Sequence, residues 1–162
     1  MLQWFFVFNP NQCIGCLNCV SICKLEHGAE NRRVELSDSN NYFISQSCNH
    51  CESPECFRVC RERSYFKRRD GIVIHNEKKC SGCGDCIRAC PFKAPRYSFV
   101  TGKVTKCDFC YEKIDSGLEP DCVRVCPTHA LTVSQGEPVE SVKLIDGFPD
   151  VFFTHPKIRF KI

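Results

Sequence analysis

The residues of this chain that could do chemistry are its sixteen cysteines, which fall into four groups of four. The groups are, in chain order, Cys13, Cys16, Cys19 and Cys23; Cys48, Cys51, Cys56 and Cys60; Cys80, Cys83, Cys86 and Cys90; and Cys107, Cys110, Cys122 and Cys126. Groups one and three share the spacing Cys-x2-Cys-x2-Cys-x3-Cys, whereas groups two and four stretch its middle interval. Thiolates at such short, repeated intervals are metal ligands, so the pattern predicts four metal centres.

The spacing of groups one and three favours cubane [4Fe–4S] clusters. A tight Cys-x2-Cys-x2-Cys loop presents three thiolates to one cluster, and the fourth must come from elsewhere. In two-cluster ferredoxins the last cysteine of such a run, followed by proline, binds the neighbouring cluster. Group three has this ending, Cys90-Pro91. We therefore expect clusters that are held in close pairs.

Structural zinc is the competing interpretation of the same cysteines. Zinc sites usually combine two Cys-x2-Cys knuckles that lie a dozen or more residues apart. Group four taken alone fits that pattern, but groups one and three do not, because their third cysteine would crowd a tetrahedral site. The set as a whole therefore favours iron–sulfur clusters over zinc.

Cysteine at about a tenth of the chain could instead indicate a disulfide scaffold. Residues 1–8 lack the basic region and the small-residue cleavage site of a secretory leader. We therefore expect a reducing, cytoplasmic location, where thiols are available to metals. No apolar run approaches the roughly 20 residues that cross a bilayer, so no direct membrane span is expected.

The chain is short and has few conventional apolar residues, so we expect the clusters to support the fold. The 162 residues suffice for one domain or two very small ones. Hydrophobic residues make up 43%, but this figure includes the cysteines, which leaves a thin conventional core.

Four clusters with their thiolates would move the formal net charge from +3 to about −5, so we expect the basic residues to act as internal counter-charge. The basic run at residues 58–69 has no accompanying recognition motif, so nucleic acid is not an expected partner.

Short elements must position the cysteines. Each group closes with Cys, apolar, polar, apolar, Cys, which suits one helical turn with its polar side chain facing outward. Pro91 and Pro127 would end two of these turns. Strands are expected at residues 4–8, 42–45, 71–75, 97–101 and 130–134. The polar residues 26–41 indicate a surface loop.

Other residue types offer little chemistry. His50, between Cys48 and Cys51, could tune its cluster by hydrogen bonding, although a plain loop residue is the simpler interpretation. The remaining histidines have no spacing that suggests ligation. The chain has no catalytic triad pattern, phosphate-binding loop or dinucleotide fingerprint. We therefore expect an electron carrier that performs no substrate chemistry.

The cysteine arrangement resembles a known family over about residues 5–134. The specific stretches lie at residues 8–16, 47–56, 67–73, 105–110 and 120–122. Together they are similar to the four-cluster iron–sulfur subunits of dimethyl-sulfoxide-reductase-type molybdenum or tungsten oxidoreductases. Related polyferredoxin subunits of formate dehydrogenases, hydrogenases and aldehyde oxidoreductases share the pattern.

The resemblance implies an α+β fold of two ferredoxin-like modules, each holding two clusters. The modules are formed by nested pairing of group one with group four and of group two with group three, which the spacing alone does not reveal. Module one would comprise residues 1–25 and 102–134 and module two residues 46–101, with a connecting loop and strand at 26–45. The implied ligand sets are Cys13, Cys16, Cys19 and Cys126 (set one); Cys23, Cys107, Cys110 and Cys122 (set two); Cys48, Cys51, Cys56 and Cys90 (set three); and Cys60, Cys80, Cys83 and Cys86 (set four).

The function that the resemblance implies is electron transfer between a molybdenum- or tungsten-cofactor catalytic subunit and a second redox partner. Set one would face the catalytic subunit, followed by sets two, three and four. The alternative is a polyferredoxin that serves a hydrogenase or carbon monoxide dehydrogenase, or that diffuses freely. The short loop between groups one and two favours a compact soluble complex over a membrane-anchored one.

Two regions leave structural questions open. The family commonly has proline after the last cysteine of group two, where this chain has Arg61, so the form of that turn is open. Residues 135–162 contain no cysteine but many apolar side chains. We expect this extended tail to be a docking arm for a partner, with folding back over its own clusters as the alternative.

Overall fold

The structure is a computed structural model that describes residues 2–28, 33–37, 43–137 and 152–161. These residues form a small mixed fold of short helices and strands, in which most of the strand pairs are antiparallel. The strands are β1 (Gln3–Phe8), β2 (Val34–Ser37), β3 (Phe43–Gln46), β4 (Tyr65–Lys67), β5 (Val73–His75), β6 (Arg96–Ser98), β7 (Lys103–Thr105), β8 (Leu131–Gly136) and β9 (Ile158–Phe160). The α-helices are α1 (Asn18–His27), α2 (Glu55–Arg58), α3 (Asp85–Ala89), α4 (Tyr111–Asp115) and α5 (Asp121–Arg124).

One sheet joins the beginning of the chain to its end. Strand β1 lies in the centre, antiparallel to β8 and parallel to β9. It forms here because its apolar run provides four consecutive buried residues, Phe5 to Phe8, as expected for a central strand covered on both faces. The remaining strands form the antiparallel pairs β2–β3, β4–β5 and β6–β7.

Helix α1 contains the last two cysteines of group one, whereas α2, α3 and α5 each contain the third cysteine of their group and end before the fourth. Helix α1 packs against α5, and α2 packs against α3. The polar residue in the middle of each closing turn, such as Arg88 or Arg124, is exposed as the pattern predicts. Phe57 departs from the pattern, because 48% of this apolar side chain is exposed.

Four of the five predicted strands are present with boundaries shifted by one or two residues. The prediction for residues 97–101 is wrong in its second half, where the chain turns. The amide of Gly102 donates to the carbonyl of Ser98 at 2.9 Å, and the amide of Thr101 donates to the Ser98 hydroxyl. Gly102 has φ +67, so the turn between β6 and β7 uses the left-handed region that glycine favours.

The prediction of a plain surface loop at residues 26–41 is wrong for its described parts. Helix α1 continues to His27, and Val34–Ser37 pairs with β3. Arg33, just before β2, is buried with 2% of its surface exposed. The polar composition predicted that this segment would be exposed. Instead, Ser45 and Ser47, which are distant in sequence, accept hydrogen bonds from the buried Arg33 side chain.

The described end of the tail lies against its own chain. Ile158 and Phe160 are buried beside β1. The carbonyls of Thr154 and His155 accept hydrogen bonds from the amides of residues 52 and 53. Residues 152–161 therefore match the alternative of folding back, whereas residues 138–151 lie outside the described residues. Docking of the tail to a partner stays a prediction.

Candidate metal centres

All sixteen cysteines lie in the described residues, and all of them are free thiols. Most are buried or half-buried. Cys16 and Cys83 are exposed, and they belong to predicted sets one and four. The alternative of a disulfide scaffold is therefore wrong for the described residues, in which no cysteine forms a disulfide bond.

Three cavities in the described part of the chain are each lined by four cysteines. Each group of lining cysteines is one of the sets that the resemblance implies. The first cavity has Cys13, Cys16, Cys19 and Cys126, the second Cys23, Cys107, Cys110 and Cys122, and the third Cys48, Cys51, Cys56 and Cys90.

The cysteines of predicted set four also lie together. Cys86 is buried in an apolar cluster with Val73 and Val104, and Cys60 and Cys80 pack against it. Burial raises the pKa of Cys86, the nearby Tyr65 hydroxyl lowers it, and the charges of neighbouring cysteines raise it further. Those neighbours are the other three members of set four, Cys80, Cys83 and Cys60.

Backbone conformation explains how one short loop presents several sulfurs. Gly15 and Leu17 in group one, and Gly82 and Gly84 at the same positions in group three, all have positive φ. These left-handed residues bend the loop so that the sulfurs converge. At Gly82 glycine is required for a second reason, because a Cβ atom would collide with the backbone oxygen of Gly102.

The turn after Cys60 has the usual form, although Arg61 stands where the family commonly has proline. The amide of Arg63 donates to the carbonyl of Cys60 at 3.1 Å, and Arg63 has φ 49. Lys93 makes the same bond to Cys90 at 3.1 Å, with the same φ. The turn therefore has the same form with arginine as with Pro91.

Backbone amides also point at sulfur atoms. The amides of Ser64, Gly82 and Phe109 donate to cysteine sulfurs at 3.3 to 3.4 Å. The acceptors are Cys60 in the first case, Cys80 in the second and Cys107 in the third. Such donors stabilise negative charge on a ligand sulfur, as expected of a cluster site.

Burial makes these thiols poor acids in the absence of metal. It raises the pKa of Cys122 to about 11 and that of Cys56 to about 12, and it raises the pKa of Cys51 and Cys110 further still. Metal binding supplies the positive charge that ionises such thiols. Donor sets made of four sulfurs, with amides directed at them, fit [4Fe–4S] clusters.

Cysteines of successive sets influence one another. The charge of Cys19, in set one, raises the pKa of Cys122 in set two. Likewise Cys48 of set three raises the pKa of Cys107 in set two, and Cys86 of set four raises that of Cys56 in set three. Cysteines of sets one and two, of sets two and three, and of sets three and four therefore lie near one another.

In the described part of the chain, two buried cations lie among the cysteines, and the sequence did not predict their burial. Lys106 is 2% exposed, and its amine donates to the carbonyls of Val73 and Cys107. Arg33 lines the cavity of set two. By contrast, most of the basic run at residues 58–69 is exposed. Internal counter-charge therefore stays a prediction for these two cations, and it is wrong for the exposed residues of the run.

The histidines have roles that spacing did not predict. His50 is 1% exposed, and its Nδ1 accepts a hydrogen bond from the amide of Val73 at 3.0 Å. Burial and the charge of Lys106 hold its pKa well below the usual value. His27, for which spacing indicated no role, has Nε2 3.4 Å from the sulfur of Cys110. With Asp108 these two could bind a metal ion by themselves, but Cys110 already lines the cavity of set two.

Four-sulfur sites on paired short helices define an iron–sulfur protein of the ferredoxin kind. The model of the 4Fe-4S dicluster domain family matches residues 39–136, and this protein belongs to that family. The match contains cysteine groups two, three and four.

Several of the similar proteins are components of reductases. One chain of the anaerobic dimethyl sulfoxide reductase of Escherichia coli is 34% identical over 98% of this protein and 88% of its own length. Its counterpart of the same name from Haemophilus influenzae is 38% identical over 81% and 73% of the two sequences. One subunit of the tetrathionate reductase of Salmonella typhimurium is 35% identical over 76% and 54%. The predicted resemblance to the electron-transfer subunits of such oxidoreductases, rather than to their catalytic subunits, is confirmed.

Within the part of the chain that the structure describes, no helix has the length and apolar character needed to cross a membrane.

Proposed function

We propose that this chain holds four [4Fe–4S] clusters in the four ligand sets named above. It relays electrons between a molybdenum- or tungsten-cofactor catalytic subunit and a second redox partner. Each cluster supplies one-electron chemistry when bound. The chain itself holds the sulfurs, excludes water from most of them and fixes the order of the sites.

The observation that carries this proposal is the placement of the exposed cysteines. The exposed Cys16 belongs to the proposed set one and the exposed Cys83 to the proposed set four, the sets that come first and last in the proposed order. Electrons can then enter at one end and leave at the other, while the middle sets stay shielded. A linear relay between two partners requires this distribution of exposure.

Apolar side chains surround both exposed ends. Ile14 and Leu17, beside Cys16, are 63% and 45% exposed. Phe99 and Val100, in the β6–β7 turn that meets the loop of Gly82, are 92% and 86% exposed. Exposed apolar groups of this kind typically bind partner proteins. They support contact of set one with the catalytic subunit and of set four with the second partner.

The reductase relatives support a molybdenum or tungsten enzyme as the catalytic partner, and they favour it over a hydrogenase or carbon monoxide dehydrogenase. The prediction that the complex is cytoplasmic belongs to the same proposal.

Anaerobic metal analysis of the purified chain tests the proposal. We expect four iron and four acid-labile sulfide for each of the four sets, together with co-purification of a larger molybdenum- or tungsten-containing subunit. Four zinc ions per chain without sulfide would overturn it. Full cluster content with a hydrogenase as the co-purifying partner would support the alternative.

A further inference from the structure

Arg33 is a buried arginine that donates hydrogen bonds to neutral serine oxygens within the described residues. Its Nη1 donates to the carbonyl and the hydroxyl of Ser45, both at 3.1 Å, and its Nη2 donates to the hydroxyl of Ser47 at 2.8 Å. The guanidinium carbon lies 4.6 Å from the centre of the Phe6 ring. None of these groups cancels its charge, and burying a charge without a counter-charge is costly.

The anionic neighbours of Arg33 are cysteines from two ligand sets. Burial alone would lower the pKa of Arg33, but the charges of Cys122, Cys107, Cys19 and Cys23 raise it. Cys19 belongs to set one and the other three belong to set two. The arginine also lines the cavity of set two. It therefore lies at the junction between the first two sets.

A single hydroxyl links Arg33 to set one. The Ser45 oxygen lies 3.2 Å from the Cys19 sulfur. Because a guanidinium only donates hydrogen bonds, the Ser45 oxygen must accept from Arg33. Its own hydrogen is then free to point at Cys19. The charge of Arg33 polarises this hydroxyl and strengthens its donation to the sulfur.

We propose that Arg33 raises the reduction potentials of two of the four clusters, those of sets one and two. This inference rests on the proposed function. Reduction adds a negative charge to a cluster, and a permanent cation in a dry interior stabilises that added charge far more than a surface cation does. Arg33 acts on set two directly and on set one also through Ser45.

Potentiometric titration of the holoprotein, followed by electron paramagnetic resonance, tests the inference. In Arg33→Met, two of the four potentials should become more negative while the other two keep their values. Arg33→Lys retains the charge and should restore most of the shift. Ser45→Ala should move one of the same two potentials, because it removes the link to Cys19 alone.

Arg88→Met is the matched control for loss of one positive charge. Arg88 is exposed near set four and pairs with Asp85, so water screens its charge. The two potentials that move in Arg33→Met should not move in this variant. An equal shift of all four potentials in Arg33→Met, or no shift, would overturn the inference. So would an Arg33→Lys protein that behaves like Arg33→Met.

Metal content separates this inference from the proposed function. Failure of the unmodified chain to bind four clusters would reject the proposed function before any potential is compared. If Arg33→Met itself binds fewer clusters, Ser45→Ala still tests the effect on set one. This variant keeps the cation, and an unchanged set of four potentials in it would contradict the link from Arg33 to set one.

Discussion

At the scale of single residues, the sites combine thiols that resist ionisation with cations that favour it. Burial raises the pKa of Cys107, whereas Arg33 lowers it, and Lys106 has the same lowering effect on Cys48. Both cations are donor-only groups with fixed hydrogen bonds. The interior therefore already contains positive charge where the resemblance places anionic clusters, which reduces the cost of burying those clusters.

Lys106→Met should destabilise the holoprotein. The substitution leaves the buried carbonyl of Val73 without the Lys106 amine, and a lost buried hydrogen-bond partner costs about 1–3 kcal/mol. We expect a lower thermal midpoint under anaerobic conditions, measured by loss of the cluster absorbance. Lys103→Met is the control, because the Lys103 amine donates to the carbonyl of Glu77 at a half-buried site. An equal decrease in both variants would contradict a special role for Lys106.

At the scale of elements, the loops and turns of the four groups follow one backbone plan with different residues. Gly15 and Gly82 occupy the same position of the plan, and so do Leu17 and Gly84. Only contacts made by the folded chain distinguish them. Gly82 lies against the β6–β7 turn, for example, whereas Gly84 meets little beyond the end of the Arg88 side chain.

Gly82→Ala should impair binding of the cluster in set four. The added Cβ would collide with the backbone of residue 102 and would also have to adopt positive φ. Gly84→Ala is the matched control. The alanine would also have to adopt positive φ, which costs about 1–2 kcal/mol, but its Cβ would not collide with the backbone. We expect iron content to fall by about one cluster in Gly82→Ala and to stay complete in Gly84→Ala. Full iron content in both would show that the contact is not required.

Arg61→Pro should be tolerated and slightly stabilising. The turn after Cys60 has the same hydrogen bond as the turn that contains Pro91, so proline should fit without strain. Proline restricts the conformations of the unfolded chain, which typically raises the free energy of unfolding by about 0.4–1 kcal/mol. Thermal unfolding of the holoprotein measures the gain, with iron content as the check. A lower midpoint would mean that the two turns differ.

Sequence predicted the parts of this fold that depend on local pattern. The cysteine spacing and the closing helical turns were identified from neighbours within a few residues, as at Cys86–Cys90. The buried state of Arg33 was not, because its partners Ser45, Ser47 and Phe6 come together only in the folded chain. Strand β9 was missed for the same reason, since three residues acquire strand structure only by pairing with β1.

At the scale of the whole molecule, the exposed cysteines mark two ends with different expected partners. Cys83→Ser should impair exchange with the external donor or acceptor while sets one to three still equilibrate with the catalytic subunit. Cys16→Ser should interrupt transfer at the catalytic end. Rapid reduction of the complex by substrate alone, followed cluster by cluster, measures both effects. Reduction of every remaining cluster at the normal rate in Cys16→Ser would contradict the proposed order.

The sheet that joins the two chain ends also constrains how the protein is made. Groups two and three are contiguous, so their segment can leave the ribosome and fold while the rest is still being synthesised. Strand β1 pairs with β8 and β9, which follow the last cysteine group in the chain. The apolar residues of β1 therefore stay unpaired until all four cysteine groups have been synthesised. An unpaired apolar strand is prone to aggregate, so β1 is a part of the nascent chain that a chaperone would protect.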